Sequence, residues 1–256
     1  MLRILDARTG EPVAAVPARR GLTRVEAYAC GLDLTSLRVL LTADLLVRAL
    51  EIGGTPVWTI LTAPREHAEL RAAATALGIR PFEESRDLGS GLGEDQVVHV
   101  VREGERTAAG GAVVTVAPVV AGPGDAEAGD AGATDAGRAA EEAARGAVLR
   151  LALLSRPRNT PVRLDAATLD EAAHTLARDR SAVARWAREP SRPVPEGVRT
   201  RLRAAWEDDL DLPAVLAVLR DVAHDPDLTD GARFETYVYA DRLLGLELAR
   251  DLGSPA

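Results

Sequence analysis

Apolar and polar positions alternate over Val25-Glu26-Ala27-Tyr28-Ala29, and this period of two predicts a strand that ends at Cys30-Gly31. The period then changes. Leu37, Leu40, Leu41, Leu45 and Leu50 recur at helical spacing, with Gly53-Gly54 as the stop. Pro56 to Leu61 reads as a second buried strand, and Glu66 to Leu77 as a second helix closed by Gly78. Strand, helix, strand and helix in succession form a βαβ unit, for which a parallel pair and a right-handed crossover are expected. Ahead of it, Leu2 to Leu5 with Thr9-Gly10 and Pro12 predicts a short strand and turn. Behind it the pattern weakens beyond Arg80. It resumes with a strand at Gln96 to Val101, a polar loop from Gly104 to Gly111 and a strand at Ala112 to Ala117, a pair that fits a plain β-hairpin equally well.

Residues 122–146 hold 15 Gly or Ala, 6 acids and 2 arginines among 25 positions, with no large apolar side chain. Such a segment cannot bury enough surface to offset the entropy of ordering it, so a flexible acidic linker is expected, with Arg138 to Arg145 able to extend the helix that follows. From Ala147 every periodic run is helical. Ala147 to Ser155 is an apolar helix stopped by Pro157 and Pro161. Asp165 or Thr168 caps the next, whose face is marked by Leu169, Ala173, Leu176, Val183 and Ala187. Further helices are expected from Gly197 to Trp206, from Pro213 with Val215, Leu216, Leu219 and Val222 on its stripe, and from Thr229 to Leu252. The expected organisation is therefore an α/β domain over residues 1–121, a linker over 122–146 and a helical bundle over 147–256.

Composition narrows the possibilities. With 256 residues and 46% hydrophobic content, the chain can bury a core without staples. One cysteine, Cys30, allows no internal disulfide and fits a reducing compartment. No membrane-length apolar run and no export signal are visible, so a cytoplasmic protein is expected. A net charge of −8 argues against a chain dedicated to DNA or RNA. The charge is unevenly spread, however. Ala147 to Arg203 carries 12 arginines against 6 acids, and Ala204 to Ala256 carries 4 against 12. All 31 basic residues are arginine, which closes any mechanism that needs a lysine ammonium.

Two stretches carry a family resemblance. Leu149-Arg150-Leu151-Ala152-Leu153-Leu154-Ser155 with Arg158 and Pro161 resembles the stem-helix motif of cysteinyl-tRNA synthetases and of the related cysteine ligase of mycothiol biosynthesis. Asp208 to Leu216 resembles the aspartate-rich turn that follows in that family. Tyr28-Ala29-Cys30-Gly31 stands where the family has a strand ending in a zinc-ligand cysteine, and Thr62 and Arg71-Ala72 fall in step. The resemblance is thin over residues 1–80 and 97–225 and good over 147–225. It implies a reduced class I synthetase fold, a Rossmann-like, HUP-type parallel sheet followed by a helical bundle. In that family the sheet domain transfers an amino acid to the α-phosphate of ATP.

Departures from the family pattern decide what the resemblance implies for activity. The family's His-Ile-Gly-His signature, which holds ATP phosphates at a helix N-terminus, corresponds here to Leu32-Asp33-Leu34-Thr35-Ser36-Leu37-Arg38, with no histidine or glycine and with an anionic Asp33. Its Lys-Met-Ser-Lys-Ser loop corresponds to Gly104 to Ala112, where Arg106 and the backbone amides at Gly110-Gly111 are the nucleotide-binding candidates. Cys30, Gly31 and Thr62 occupy cleft positions. Zinc is not expected, because the other thiol ligands do not exist and His67 and His99 lack ligand spacing. Cys30 is then expected to be a small buried cysteine at a strand end. His174 and His224 are expected at the surface or in helix packing. Losing several charge-stabilising donors, each commonly worth about 3 kcal/mol, makes efficient adenylation improbable. The expected function is thus that of a catalytically degenerate synthetase-like protein that binds tRNA, a protein partner or a small ligand, with Arg150, Arg156 and Arg158 as RNA-contact candidates. The alternative is an active ligase that adenylates cysteine or another amino acid with ATP held by Arg106 and the Gly110-Gly111 loop.

Overall fold

A computed structural model describes residues 1–16, 23–84, 96–105, 107, 110–122 and 135–253, with the side chains of 135–140 excepted. Strand β1 (Arg3–Leu5) is the expected strand, and the turn after it leads into a second strand, β2 (Pro12–Ala14), that pairs with it antiparallel. β3 (Thr23–Tyr28) alternates as its sequence predicts: Thr23, Val25 and Ala27 are buried, and Arg24, Glu26 and Tyr28 lie half-buried on the other face. Helix α1 (Leu34–Ile52) starts at Asp33, whose carboxylate accepts from the Ser36 amide at 2.7 Å. The structure continues with β4 (Val57–Thr62), α2 (His67–Ala76), the short β5 (Glu83–Glu84), β6 (Gln96–Arg102) and β7 (Ala112–Val116).

β3 to β7 form one parallel sheet of order β5-β4-β3-β6-β7, with α1 packed across β3, β4, β6 and β7. β6 and β7 are therefore not a hairpin. The Val98↔Ala112 and Arg102↔Val116 register is parallel, so the intervening residues carry the chain back along the full length of β6. Gly111 makes this return possible. At φ +67 it presses so closely on β6 that a Cβ there would overlap the Val97 carbonyl oxygen.

The second half contains α3 (Asp135–Leu154), α4 (Ala166–Trp186), α5 (Glu196–Glu207), α6 (Leu212–His224) and α7 (Asp230–Leu244), with β8 (Val119–Ala121) and β9 (Val162–Leu164) paired in parallel beside them. Caps and stops account for the boundaries. Asp165, Asp211 and Thr229 cap α4, α6 and α7, and Pro213 occupies the first turn of α6. Two boundaries differ from expectation. α3 begins at Asp135, so residues 135–146 are helix rather than linker, whereas 123–134 lie outside the described residues. Good helix formers in Ala139 to Ala144 permit this extension, and docking fixes it: a Cβ at Gly146 would overlap the Ala76 carbonyl oxygen, so the two helices cross at the closest approach glycine allows. α7 stops at Leu244, not Leu252, because the Asp241 carboxylate turns back to accept the Leu246 and Leu248 amides at 2.7 and 2.9 Å. On α4 the buried stripe is Ala172, Leu176, Arg180, Val183 and Trp186, displaced by one position from the expected face at Ala173.

Sheet and helices share one core. Leu40, Leu41 and Leu46 of α1 belong to the same apolar cluster as Leu151 and Leu154 of α3 and Tyr237 and Leu243 of α7. α1 is covered on one side by strands and on the other by α2 and α7, which is why 15 of its 19 residues are buried. The boundary between the α/β half and the mainly helical half is thus a change of secondary structure within one packed unit. Among the described residues, no helix is long and apolar enough to cross a membrane.

Candidate functional site

In the sheet order, β4 and β5 lie to one side of β3 and β6 and β7 to the other. The crevice at the carboxyl ends of β3 and β6 is therefore the topological switch point, where open α/β sheets bind ligands. Cys30 and Gly31 leave β3 there, Thr62 closes β4, and the N-terminus of α1 points in. The cleft residues singled out in the sequence do converge.

Their partners are charged. Arg102, the last residue of β6, donates from one nitrogen to both Asp33 oxygens at 2.9 and 2.7 Å and to Ser36 Oγ at 2.9 Å. Burial works against the Asp33 charge, but the Arg102 hydrogen bonds and the Ser36 amide hold its carboxyl below the usual range. Glu66, at φ 56 before α2, accepts the Leu32 amide at 2.6 Å. Cys30 is exposed, which corrects its expected burial: it lies beyond the end of the strand, uncovered among the described residues, and its thiol donates to a Glu105 carboxylate oxygen. That hydrogen bond, with burial and the Glu105 charge adding to it, pushes the thiol pKa up. A thiol so held is a poor nucleophile and a poor metal ligand. Asp33, Glu66 and Glu105 thus gather at this end of the sheet, with Arg102 bonded to Asp33, and the amide of Ser36 in the first α1 turn faces a carboxylate of its own chain. Neither feature suits a polyphosphate.

The Gly110-Gly111 loop is not part of this crevice. Gly111 lies beside Val97, which is level with Arg24 on β3, so the pair sits about 20 Å from Cys30 at the opposite end of the sheet. The carbonyls of this loop are engaged: Arg8 donates to Gly110 O at 2.6 Å and to Gly111 O, and His99 Nε2 lies 3.1 Å from Gly110 O. Parallel pairing of β6 and β7 is the cause, since it returns the loop to where β7 starts. Arg106 lies outside the described residues.

Of the three arginines expected to contact RNA, two are interior. Arg150 is fully buried and donates to Asp44 Oδ2 at 2.9 Å, Leu244 O at 2.6 Å and Leu77 O at 3.1 Å. Asp44 also receives Arg48 at 2.8 Å and Arg80 at 3.0 Å; burial opposes its charge, and Arg150 and Arg48 more than restore it, so its carboxyl stays below the usual range. Arg158 is buried too, donating to Thr115 O at 2.7 Å and to Asp209. Only Arg156 is exposed. Both buried arginines replace a surface reading with a structural one, because an unpaired charge so deep would be costly and each side chain has its carboxylate.

A polar cluster that the sequence reading passed over lies on the sheet face away from α1. His99 Nδ1 is 3.2 Å from Glu26 Oε2, and Tyr28 donates to Glu26 at 2.6 Å. The His99 hydrogen bond leads the causes that bring Glu26 down to about 2, and burial with Glu26 as neighbour pushes Tyr28 up. Polar residues at every second position of β3 were the available signal. His174 and His224 are exposed, each with Nδ1 2.7 Å from the carbonyl one turn back.

A groove of about 620 Å³ lies between α3, β9, α4 and α6. Leu151, Ala172 and Leu216 contribute to its floor, and Arg156, Arg163, Arg178 and Arg220 share its walls with Asp165, Glu171 and Asp179. Among the described residues no group of three or more His, Cys, Asp or Glu is placed to hold a metal ion. No protein-family model matches the chain, and no curated protein matches it.

Proposed function

We propose that this chain is a degenerate relative of cysteinyl-tRNA synthetases, built on a reduced HUP-type sheet and a stem-like helical bundle, that has lost adenylation and acts by binding. The observation that carries this reading is the first turn of α1, where phosphates would have to dock and where Asp33, locked by Arg102, already caps the Ser36 amide. The acidic surroundings of Glu66 and Glu105 add to the mismatch. Zinc does not fit this donor set either, since the one thiol is held protonated by Glu105 beside a guanidinium.

Among partners, a protein is favoured over tRNA. Arg150 and Arg158 are committed internally, and the groove that contains Arg156 mixes four arginines with three acids around an apolar floor. Such a surface matches an amphipathic helix of mixed charge better than a phosphate backbone, which rewards uninterrupted positive charge.

Amino-acid-dependent ATP–pyrophosphate exchange tests the loss of adenylation, run with cysteine and a panel of other amino acids, with and without zinc. No exchange above an Arg102→Ala control is expected. Exchange well above that control would instead make the protein an active ligase, in which Arg102 leaves Asp33 to meet the nucleotide. For the partner, Arg156→Glu is expected to leave tRNA binding at physiological salt unchanged and negligible; salt-resistant tRNA binding abolished by Arg156→Glu would restore the RNA reading.

A further inference from the structure

Three arginines meet around one small cavity, and among the described residues one carboxylate, that of Asp209, is bonded to any of them. The cavity, about 20 Å³, lies between α1 and the turn after α3, lined by Arg38, Thr42, Leu153, Arg156 and Arg158 among others. Arg38 is 2% exposed and has no acidic partner among the described residues. It donates to three carbonyls: Ala117 O at 2.9 Å, Thr160 O at 2.8 Å and Pro157 O at 2.7 Å. Arg158, with its side chain 7% exposed, is bonded through both terminal nitrogens, yet its Nε is buried and has no hydrogen-bond partner among the described residues. Arg156 is exposed and makes no hydrogen bond or ion pair among the described residues. Against these charges stands Asp209, which is itself partly shared, accepting the Leu5 amide at 2.8 Å.

We propose that this cavity is a binding site for one small inorganic monoanion of about chloride size, held between Arg38 and Arg158 with Arg156 at its mouth. Carbonyls orient the Arg38 guanidinium without neutralising it, so a buried positive charge lacks a counterion, and a guanidinium so desolvated attracts an anion more strongly than one in water. Burial alone brings Arg38 down to about 10, which registers the same deficit. A cavity needs only about 10–15 Å³ for a water molecule, so about 20 Å³ is enough room for one small ion. Water would satisfy the Arg158 Nε but leave the charge excess. A halide does both, and it ties α1 to the turn that follows α3, the junction between the two halves of the chain.

Thermal unfolding in sodium chloride and in sodium gluconate at matched ionic strength reads this site, because gluconate is too large to enter. The expected result is a saturable rise in Tm with chloride. Arg156→Ala, at an exposed position that leaves folding in gluconate unchanged, raises the half-saturating chloride concentration by about tenfold, as loss of one charged hydrogen-bond partner implies. Crystals soaked in bromide are expected to show an anomalous peak between Arg38 and Arg158. Coincident chloride and gluconate curves would mean a water only, and bromide found at the surface but not in the cavity would mean an adventitious ion only; either result overturns the proposal.

Discussion

The crevice at the strand ends and the seam between sheet and helices are built from the same chemistry, arginine against carboxylate, and put it to opposite uses. At the crevice the pairs are half open to solvent, with Arg102 30% and Asp33 49% exposed, and they occupy the first turn of α1 at the strand ends. At the seam Arg150 and Asp44 are 0% and 1% exposed, and the pair joins α1 to α3 with the ends of α2 and α7. A solvated pair contributes little to stability, whereas a buried one is costly to break from either side. The arginine-rich stretch around Leu149 to Pro161 is therefore largely internal structure, and charge density along a chain says little about charge on its surface.

The largest expected effect comes from breaking the seam. Asp44→Ala leaves Arg150 buried without its counterion and should cost about 3–5 kcal/mol in denaturant unfolding. Replacing both partners by apolar residues, as in Asp44→Leu with Arg150→Met, should recover most of that loss; failure to recover it would mean that the carbonyl contacts of Arg150, not the ion pair, hold the junction. Next in size is the helix crossing. Gly146→Ala forces α3 away from α2 and should lower stability by about 1–3 kcal/mol, measured the same way.

Acid unfolding sharpens the comparison within the sheet. Glu26 titrates near 4.5 when unfolded and near 2 when folded. Its folded-state pKa is depressed, so its stabilisation is complete above the unfolded value and is lost as pH falls from about 5 through about 2. The two values bound the contribution at about 3 kcal/mol, reduced by solvent screening at this half-open site. Glu26→Gln should therefore be less stable than the parent near pH 6, and the two should converge toward pH 2. Persistence of the full gap at pH 2 would assign the loss to packing.

The smallest effects belong to the crevice. Arg102→Ala should change stability by less than about 1 kcal/mol, as for other exposed pairs. Glu105→Gln removes the main cause of the raised Cys30 pKa, so more thiolate forms at pH 8 and alkylation by iodoacetamide should speed up about threefold or more. An unchanged rate would show that Glu105 does not govern the thiol.

The elements with strong periodicity were legible in the sequence. α1, α4, α6 and strands β3, β4 and β6 follow from the spacing of Leu and Val with their Asp, Thr and Pro caps, because burial on one face imposes its period on the sequence. The convergence of Cys30, Gly31 and Thr62 was legible from their places at strand ends. The partners Glu66, Arg102 and Glu105 were not, since residues tens of positions apart meet only through strand order, and alternation within a strand carries no record of its neighbour.

Local pattern, then, determined which segments are strand or helix and where most of them stop, because caps, periodicity and turn residues act over a few positions. Whether β6 and β7 run parallel, which end of the sheet receives Gly110-Gly111, and which arginines lie inside were decided by tertiary packing alone. Arg150, Arg156 and Arg158 show why: within nine residues of one stretch, the first and last are buried against Asp44 and Asp209 and the middle one faces solvent. A guanidinium's fate depends on the carboxylate and carbonyls brought to it by distant parts of the chain, and those distances exist only after folding.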